Sequence, residues 1–463
     1  MKLPPYPRYK PSGVEWLGDV PEHWKVSRLG YAATKIGSGK TPRGGADVYQ
    51  SDGVMLIRSQ NVYETGLRLE DAVFVDGAID EEMAGTRVRP HDVLLNITGA
   101  SLGRCAITSD ALPRANVNQH VCIIRPEASH ADPGFLQRSI SSAAVQSQIF
   151  RYENGSSREG LNFQQVHTLI LAVPPLQEQQ AIAAFLDRET GRVDRLVAKK
   201  RELIERLKEK RTALISRTVT RGLPAEAAAK AGLPVNPPLK PSGIRWLGEI
   251  PMHWRLMCFR RLISRLDQGW SPNANNYPAA PDELGVLKLG AASKGKFYPD
   301  DNKALDEIPQ GMTPITPARG DLLISRANTP DLVGEACVVK GDYPNRIIPD
   351  LLYRLRLRAD TDSDFVCWFI LSRSGRAQIE FDARGSSGSM VKVGQSHVRA
   401  WMIPFPLLPE QAAIAAYLDE ETAKLDAQVG KVEEAAERLQ EYRTALITAA
   451  VTGKSDVRPH SKE

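Results

Sequence analysis

A chain of 463 residues is long enough for two or three domains, each able to bury its own core. Its composition, 42% hydrophobic and 25% charged with a net charge of +5, is that of a soluble globular protein, and no run approaches the ~20 continuous apolar residues of a membrane span. The five cysteines are scattered without a C-x-x-C pair and the N-terminus has no apolar signal region, so reduced core thiols and a cytoplasmic location are expected, with no zinc site.

Residues 1–26 form an arm punctuated by Trp, Gly and Pro, in which Trp16 and Trp24 are expected to act as packing anchors. The stretch KIGSGKTPRGG (35–45) opens the next segment and imitates a phosphate-binding loop. The full signature needs a glycine at position 34, where Thr34 stands, and Pro42 biases Thr41 away from the helix that should begin there. A glycine-proline turn is the better reading. Residues 27–172 mix short apolar β-rich runs (VMLIRS, DVLLNIT, HVCIIRP) with short helices and read as a mixed α/β globule.

From 173 to 222 a proline-poor stretch predicts one long helix, with a heptad seam through Ile182, Leu186, Val193, Leu196, Leu203, Leu207 and Leu214. Residues 223–256 read as an Ala-Pro linker followed by a second Trp-Pro arm, with Trp246 and Trp254 as its anchors. A second α/β stretch spans 257–403, with strands in GVLKLG, DLLISRA and YRLRLR. A second long helix is predicted over 404–453, through Ile414, Leu418, Leu425, Val432, Ala435, Leu439, Tyr442 and Leu446, and a polar tail follows at 454–463.

The chain is therefore written twice. KPSGVEWLGDVPEHWKV (10–26) returns as KPSGIRWLGEIPMHWRL (240–256), with ten of seventeen positions identical. EQQAIAAFLDRET (178–190) returns as EQAAIAAYLDEET (410–422), and RTALI occurs at 211–215 and 443–447. This period is too long for a solenoid and implies a duplicated domain-plus-helix with pseudo-two-fold symmetry. In the second copy Gly39-Lys40-Thr41-Pro42 falls on Gly269-Trp270-Ser271-Pro272, so the turn residues recur and the lysine does not. Residues 188–221 carry twelve Lys/Arg against five Asp/Glu, and 419–443 carry four against eight. Opposite charge and matching seams predict an antiparallel coiled coil.

The loops of both variable stretches are rich in side chains that reach phosphates and base edges. Candidate DNA-binding residues are Arg43, Arg58, Asn61, Asn96, Arg104, Asn118, Gln119 and Arg158 in the first copy. In the second they are Asn273, Asn275, Lys288, Lys294, Arg326, Asn328, Arg346, Ser387 and Lys392. Two catalytic look-alikes are discounted. Asn236-Pro237-Pro238-Leu239 lies in the linker without the aromatic that would stack a flipped base. Pro281-Asp282 with Asp301-Asn302-Lys303 imitates a nuclease triad but sits in a polar loop without a counterpart in the first half.

With its paired PSGVEWLGDVPEHW and PSGIRWLGEIPMHW arms, its GSGKTP entrance, its PPLQEQQAIAAFLD and PLLPEQAAIAAYLD helix starts and its RTALI helix ends, the chain resembles the specificity (S) subunit of type I restriction-modification systems. The resemblance implies two α/β target-recognition domains joined by two long helices, reading a bipartite, asymmetric site on double-stranded DNA. It also implies two modification (methyltransferase) subunits and restriction (motor-nuclease) subunits as partners. S-adenosylmethionine, ATP and Mg²⁺ would belong to those partners, leaving this chain without cofactor, metal or catalytic residue. Two rivals are a self-sufficient DNA methyltransferase or endonuclease and an orphan subunit serving methylation only.

Overall fold

The computed structural model describes residues 3–153, 160–308, 313–387 and 390–458. The chain divides into two compact units: Met1–Arg201 with Glu433–Glu463, and Glu202–Val432. In the first, a four-stranded antiparallel sheet runs Cys105–Ile107, Val93–Asn96, Val121–Pro126, Ala33–Ser38. A three-stranded sheet, Ala115–Val117, Val54–Ile57, Val73–Val75, lies beside it, its first pair parallel. The second unit repeats this plan. Its four strands are Ile263–Gln268, Leu352–Leu357, Leu322–Ser325 and Ala336–Val338, and its three are Asn302–Ala304, Gly285–Leu287 and Arg346–Ile347, the last pair parallel.

The apolar runs are strands buried on both faces, which is why they do not alternate with polar residues. Val93 and Leu95 point into one cluster with Leu136, Ile140 and Ile149 of two short helices. Their neighbour Leu94 faces the other way, into a cluster with Met55, Ile57 and Val117 of the three-stranded sheet. In the second unit Leu322 and Ile324 join the helix-side core while Leu323 joins Leu287 and Ile348. The weak sequence likeness between the variable stretches thus conceals one topology used twice.

Each unit is closed by its arm. Tyr9–Pro11 pairs with Asp19–Pro21, and Lys25–Arg28 pairs with Ile170–Val173 just before the first long helix, Leu176–Arg221. Leu239–Pro241, Glu249–Pro251, Arg255–Cys258 and Met402–Phe405 do the same before the second, Leu408–Val451. Trp24 and Trp254 are fully buried, as packing anchors should be. Trp16 is instead 41% exposed, with the Arg151 guanidinium 5.9 Å from its ring, and Trp246 is only partly buried. Glu178, in the first turn of its helix, accepts hydrogen bonds from Tyr6 Oη (2.8 Å) and Trp24 Nε1 (3.1 Å) and lies 2.8 Å from His23 Nε2. Burial, reinforced by this carboxylate, raises the Tyr6 hydroxyl's pKa, so it stays a donor. Glu410 holds His253 at 2.9 Å in the same way, but Trp254 Nε1 is buried without a hydrogen-bond partner among the described residues.

Within the first unit Ile182 and Leu186 share a core with Leu446, Ile447, Ala450 and Val451, and Asp194 meets Arg443 at 2.9 Å. Rising numbers on one helix therefore meet falling numbers on the other. Within the second unit Ile215 and Val219 share a core with Ile414 and Leu418, and Arg211 meets Asp426 at 2.9 Å. The helix segments are antiparallel in each unit. The repeated RTALI supplies the arginine of both cross-helix ion pairs. The expected seam needs correcting in its middle: Leu196 and Leu203 are each 42% exposed, and the buried positions are the next residues, Val197 and Ile204. Tyr442 is likewise exposed. The linker contains a short helix, Ala225–Lys230, with Ala228 buried. The start of the tail is structured: Val457 is buried, Asp456 N donates to Pro4 O, and Tyr9 Oη donates to Gly453 O.

The unequal partners of the two glutamates make a direct comparison. Glu178→Ala strands two buried donors and should cost about 2–5 kcal/mol in urea unfolding. Glu410→Ala, which releases only a half-exposed histidine, should cost roughly 1 kcal/mol or less. Equal losses would show that the carboxylates act through something other than these donors.

Candidate nucleic-acid interface

The loops that leave the strands of the first unit are laced together at one edge. Gly39 N donates to Val121 O (3.3 Å), Asn118 N to Ile57 O (3.1 Å) and Ile97 N to His120 O (3.0 Å). Asn96 Nδ2 reaches Ser59 O at 2.8 Å, and Thr98 Oγ1 lies 2.6 Å from His120 Nδ1. A buried polar knot anchors the strand beneath. Asn116 Nδ2 donates to Asp80 Oδ1 (2.6 Å), whose carboxyl is held below the usual range chiefly by the Arg87 hydrogen bond, against its burial.

Gly39, the start of the G-K-T look-alike, sits where backbones cross. A Cβ there would fall 1.5 Å from Val117 O, and one at Gly269 would fall 1.8 Å from Ile348 O. The glycine recurs because only hydrogen fits that crossing. Lys40 is exposed and its counterpart is Trp270, so the stretch is a strand exit and no phosphate cradle.

Of the first-copy candidates, Arg43, Arg58, Arg104 and Gln119 reach the surface, Arg43 in the turn before left-handed Gly44. Asn118 is 9% exposed, its Oδ1 accepting from His120 N. Asn61 and Asn96 are buried at 1% and 0% and cannot meet a base edge. Asn61 Oδ1 accepts from Arg58 N and its Nδ2 donates to Arg68 O, so it shapes the loop instead. Arg158 lies outside the described residues.

In the second unit, Arg326 N donates to Leu351 O, and Ala327 and Asn328 pair with Lys392 and Val391, so Arg326, Asn328 and Lys392 come together. Lys288 stands on the loop after its strand, 3.3 Å from Asp301. Asn273 is exposed, and Asn275 is bonded to Asp306 at 2.9 Å. Lys294 is set apart, at φ 51 in the turn between Ala292–Ser293 and Lys296–Phe297. Arg346 is the third correction: it is 4% exposed, and its guanidinium is spent on the carbonyls of Pro299, Glu283, Asn345 and Ala280. Ser387 ends the strand Arg384–Ser387, and its side chain lies outside the described residues. The nuclease look-alike dissolves: Asp301 is paired with Lys288, and buried Asn302 holds the turn through Ala279 N and Pro299 O.

Three residues escaped the sequence reading. His120 ties two loops, and Tyr63 and Arg68 flank the hairpin turn between Val62–Tyr63 and Gly66–Leu67. The signal for the pair was an aromatic and an arginine either side of a glycine turn, Y-E-T-G-L-R.

Residues 21–206 match the family model described as the type I restriction modification DNA specificity domain. The type I restriction enzyme EcoKI specificity subunit of Escherichia coli K12 is 23% identical over 450 residues, covering 94% of this chain and 90% of that subunit. The StySPI specificity subunit of Salmonella potsdam is 20% identical over 444 residues, covering 94% and 90%. A solved chain described as "Structural basis underlying complex assembly and conformational transition of the type I R-M system" has the same fold, at a TM-score of 0.64 and 19% identity over 93% of this chain and 98% of its own. The likeness to type I specificity subunits thus spans both halves, as the repeated motifs imply. Among the described residues, no helix is long and apolar enough to cross a membrane.

The crossing glycine gives a test. Gly39→Ala should destabilise the folded chain by about 1–3 kcal/mol because the backbones must part. Lys40→Ala should stay within about 0.5 kcal/mol. Urea unfolding of both variants measures the difference, and a larger effect from the lysine would return it to a structural role.

Proposed function

We propose, from the premise that residues 21–206 match a type I DNA specificity domain, that this chain is a non-catalytic specificity subunit reading a bipartite, asymmetric site on double-stranded DNA. The observation that carries the reading is one sheet topology built twice, with unlike polar loops on each copy. The scaffold repeats and the chemistry on it does not, as two readers of two different half-sites require. Residues 27–172 and 257–403 are the proposed readers. Exposed arginines and lysines would hold phosphates, while Gln119, Asn273 and Asn328 offer amide donors and acceptors to base edges. Two methyltransferase subunits and motor-nuclease subunits would be recruited around this chain, and S-adenosylmethionine, ATP and Mg²⁺ would act on them.

Modularity is tested by exchange. Replacing residues 27–172 with the same region of a related subunit, then mapping methylated bases, should change one half of the target and leave the other. A change in both halves, or in neither, defeats the reading.

The helices of 46 and 44 residues, roughly 66–69 Å long at 1.5 Å per residue, are proposed to set the unread spacer. Four residues inserted near Arg201 add ~6 Å and just over one helical turn. They should lengthen the spacer by about two base pairs at 3.4 Å each, with both half-sites intact. An active complex with an unchanged spacer would remove the helices as the ruler.

A further inference from the structure

On the hairpin of the first unit, two guanidiniums share one aromatic ring. Arg68 lies 3.9 Å and Arg104 5.1 Å from the centroid of Tyr63. Neither has a carboxylate partner among the described residues. Arg87, Arg114 and Arg125 of the same unit are, by contrast, paired with Asp or Glu. The ring and the two arginines line an open cleft of about 320 Å³ against the first long helix, which adds exposed Arg201. Two carboxylates also face the cleft: Asp194 is tied to Arg443, and Glu64 stands exposed at the hairpin turn.

The backbone that carries these arginines is held from below by the two buried asparagines. Asn61 fixes Arg68 twice: Arg68 N donates to Asn61 O (2.9 Å), and Asn61 Nδ2 donates to Arg68 O (2.9 Å). Asn96 fixes the other: Asn96 N donates to Arg104 O (2.8 Å), and Gly103 N donates to Asn96 O. A guanidinium stacked on a ring keeps its outward N–H groups free and loses little further entropy on meeting an anion. In the second unit the hairpin position of Tyr63 is taken by Ser293, so no ring stands there.

We propose that Tyr63, Arg68 and Arg104, with Arg201 across the cleft, form a clamp for phosphodiester groups of the bound DNA, present in the first unit only. The clamp positions the duplex and reads no base. The Asn61 side chain holds the backbone of Arg68, and the main chain of Asn96 holds that of Arg104. The inference rests on the specificity-subunit reading and deepens it, because it assigns the non-specific part of binding to named side chains.

The test measures binding of the full-length chain to two duplexes, one with the methylation-mapped site and one with both half-sites scrambled, across a salt series. Arg68→Ala and Arg104→Ala should each weaken both duplexes alike, by roughly fivefold to tenfold, and each should flatten the slope of log K against log salt by about 0.9. Arg68→Lys should restore much of the slope, since a point charge still neutralises a phosphate. Tyr63→Leu, which removes the ring, should weaken both duplexes without changing the slope. Unchanged affinity and slope in the Arg68→Ala/Arg104→Ala variant would overturn the clamp while leaving the specificity-subunit reading intact. Loss on the specific duplex alone would also overturn it, in favour of base readout. Normal DNA binding with failed assembly of the methyltransferase subunits would overturn it in favour of a protein contact. A wild-type chain that binds neither duplex would remove the clamp together with the reading beneath it.

Discussion

A carboxylate in the first turn of each long helix is the fixed point of this molecule. Glu178 and Glu410 stand where the arm, the closing strand and the helix of their unit meet, and each draws in the histidine of its own Trp-Pro arm. Beside each stands a glutamine that completes the joint. Gln179 accepts from Asp132 N and donates to Pro174 O, and Gln411 accepts from Asp362 N and donates to Pro406 O. These groups are buried, so each must find its partner or leave a desolvated charge or amide behind. That requirement explains why E-Q recurs at the start of both long helices.

The frame so fixed leaves the globules free to diverge on their surfaces. Their sheets demand only apolar residues on two faces, and many combinations of Val, Leu and Ile satisfy that demand. The crossing at Gly39 and Gly269 is stricter, because a single methyl group cannot be accommodated. Beyond these points the loops carry side chains that the fold does not require. In the first unit they include arginines without carboxylate partners among the described residues, such as Arg68 and Arg104.

The internal repeat made the architecture legible. A duplicated arm, helix start and helix end bracket the variable stretches, and the apolar runs within them became the central strands. The helix seam was legible at its ends and misread in its middle. Leu196 and Leu203 fit a heptad as well as Val197 and Ile204 do, and hydrophobicity alone cannot distinguish two stripes one residue apart. Burial in the folded chain decides between them. The tail looked like a solvated end because its charges outnumber its apolar residues, yet Val457 and Asp456 are buried against the arm at the other end of the chain.

The site divides the same way. Residue type suggested which side chains suit DNA, and that judgement needs no structure. Exposure and convergence did need one. Asn61, Asn96 and Arg346 carry suitable groups, but strand pairing turns Asn96 and Arg346 inward and a single tight helical turn does the same to Asn61, and all three bond to backbone. Tyr63, Arg68 and Arg104 are spread over more than forty residues of sequence, and only the hairpin and the adjoining loop bring two cations onto one ring. The sequence by itself determined the duplicated plan and its helices, since repeats and periodicity are local in the chain. The tertiary structure decided which polar groups face solvent, because burial depends on neighbours distant in sequence.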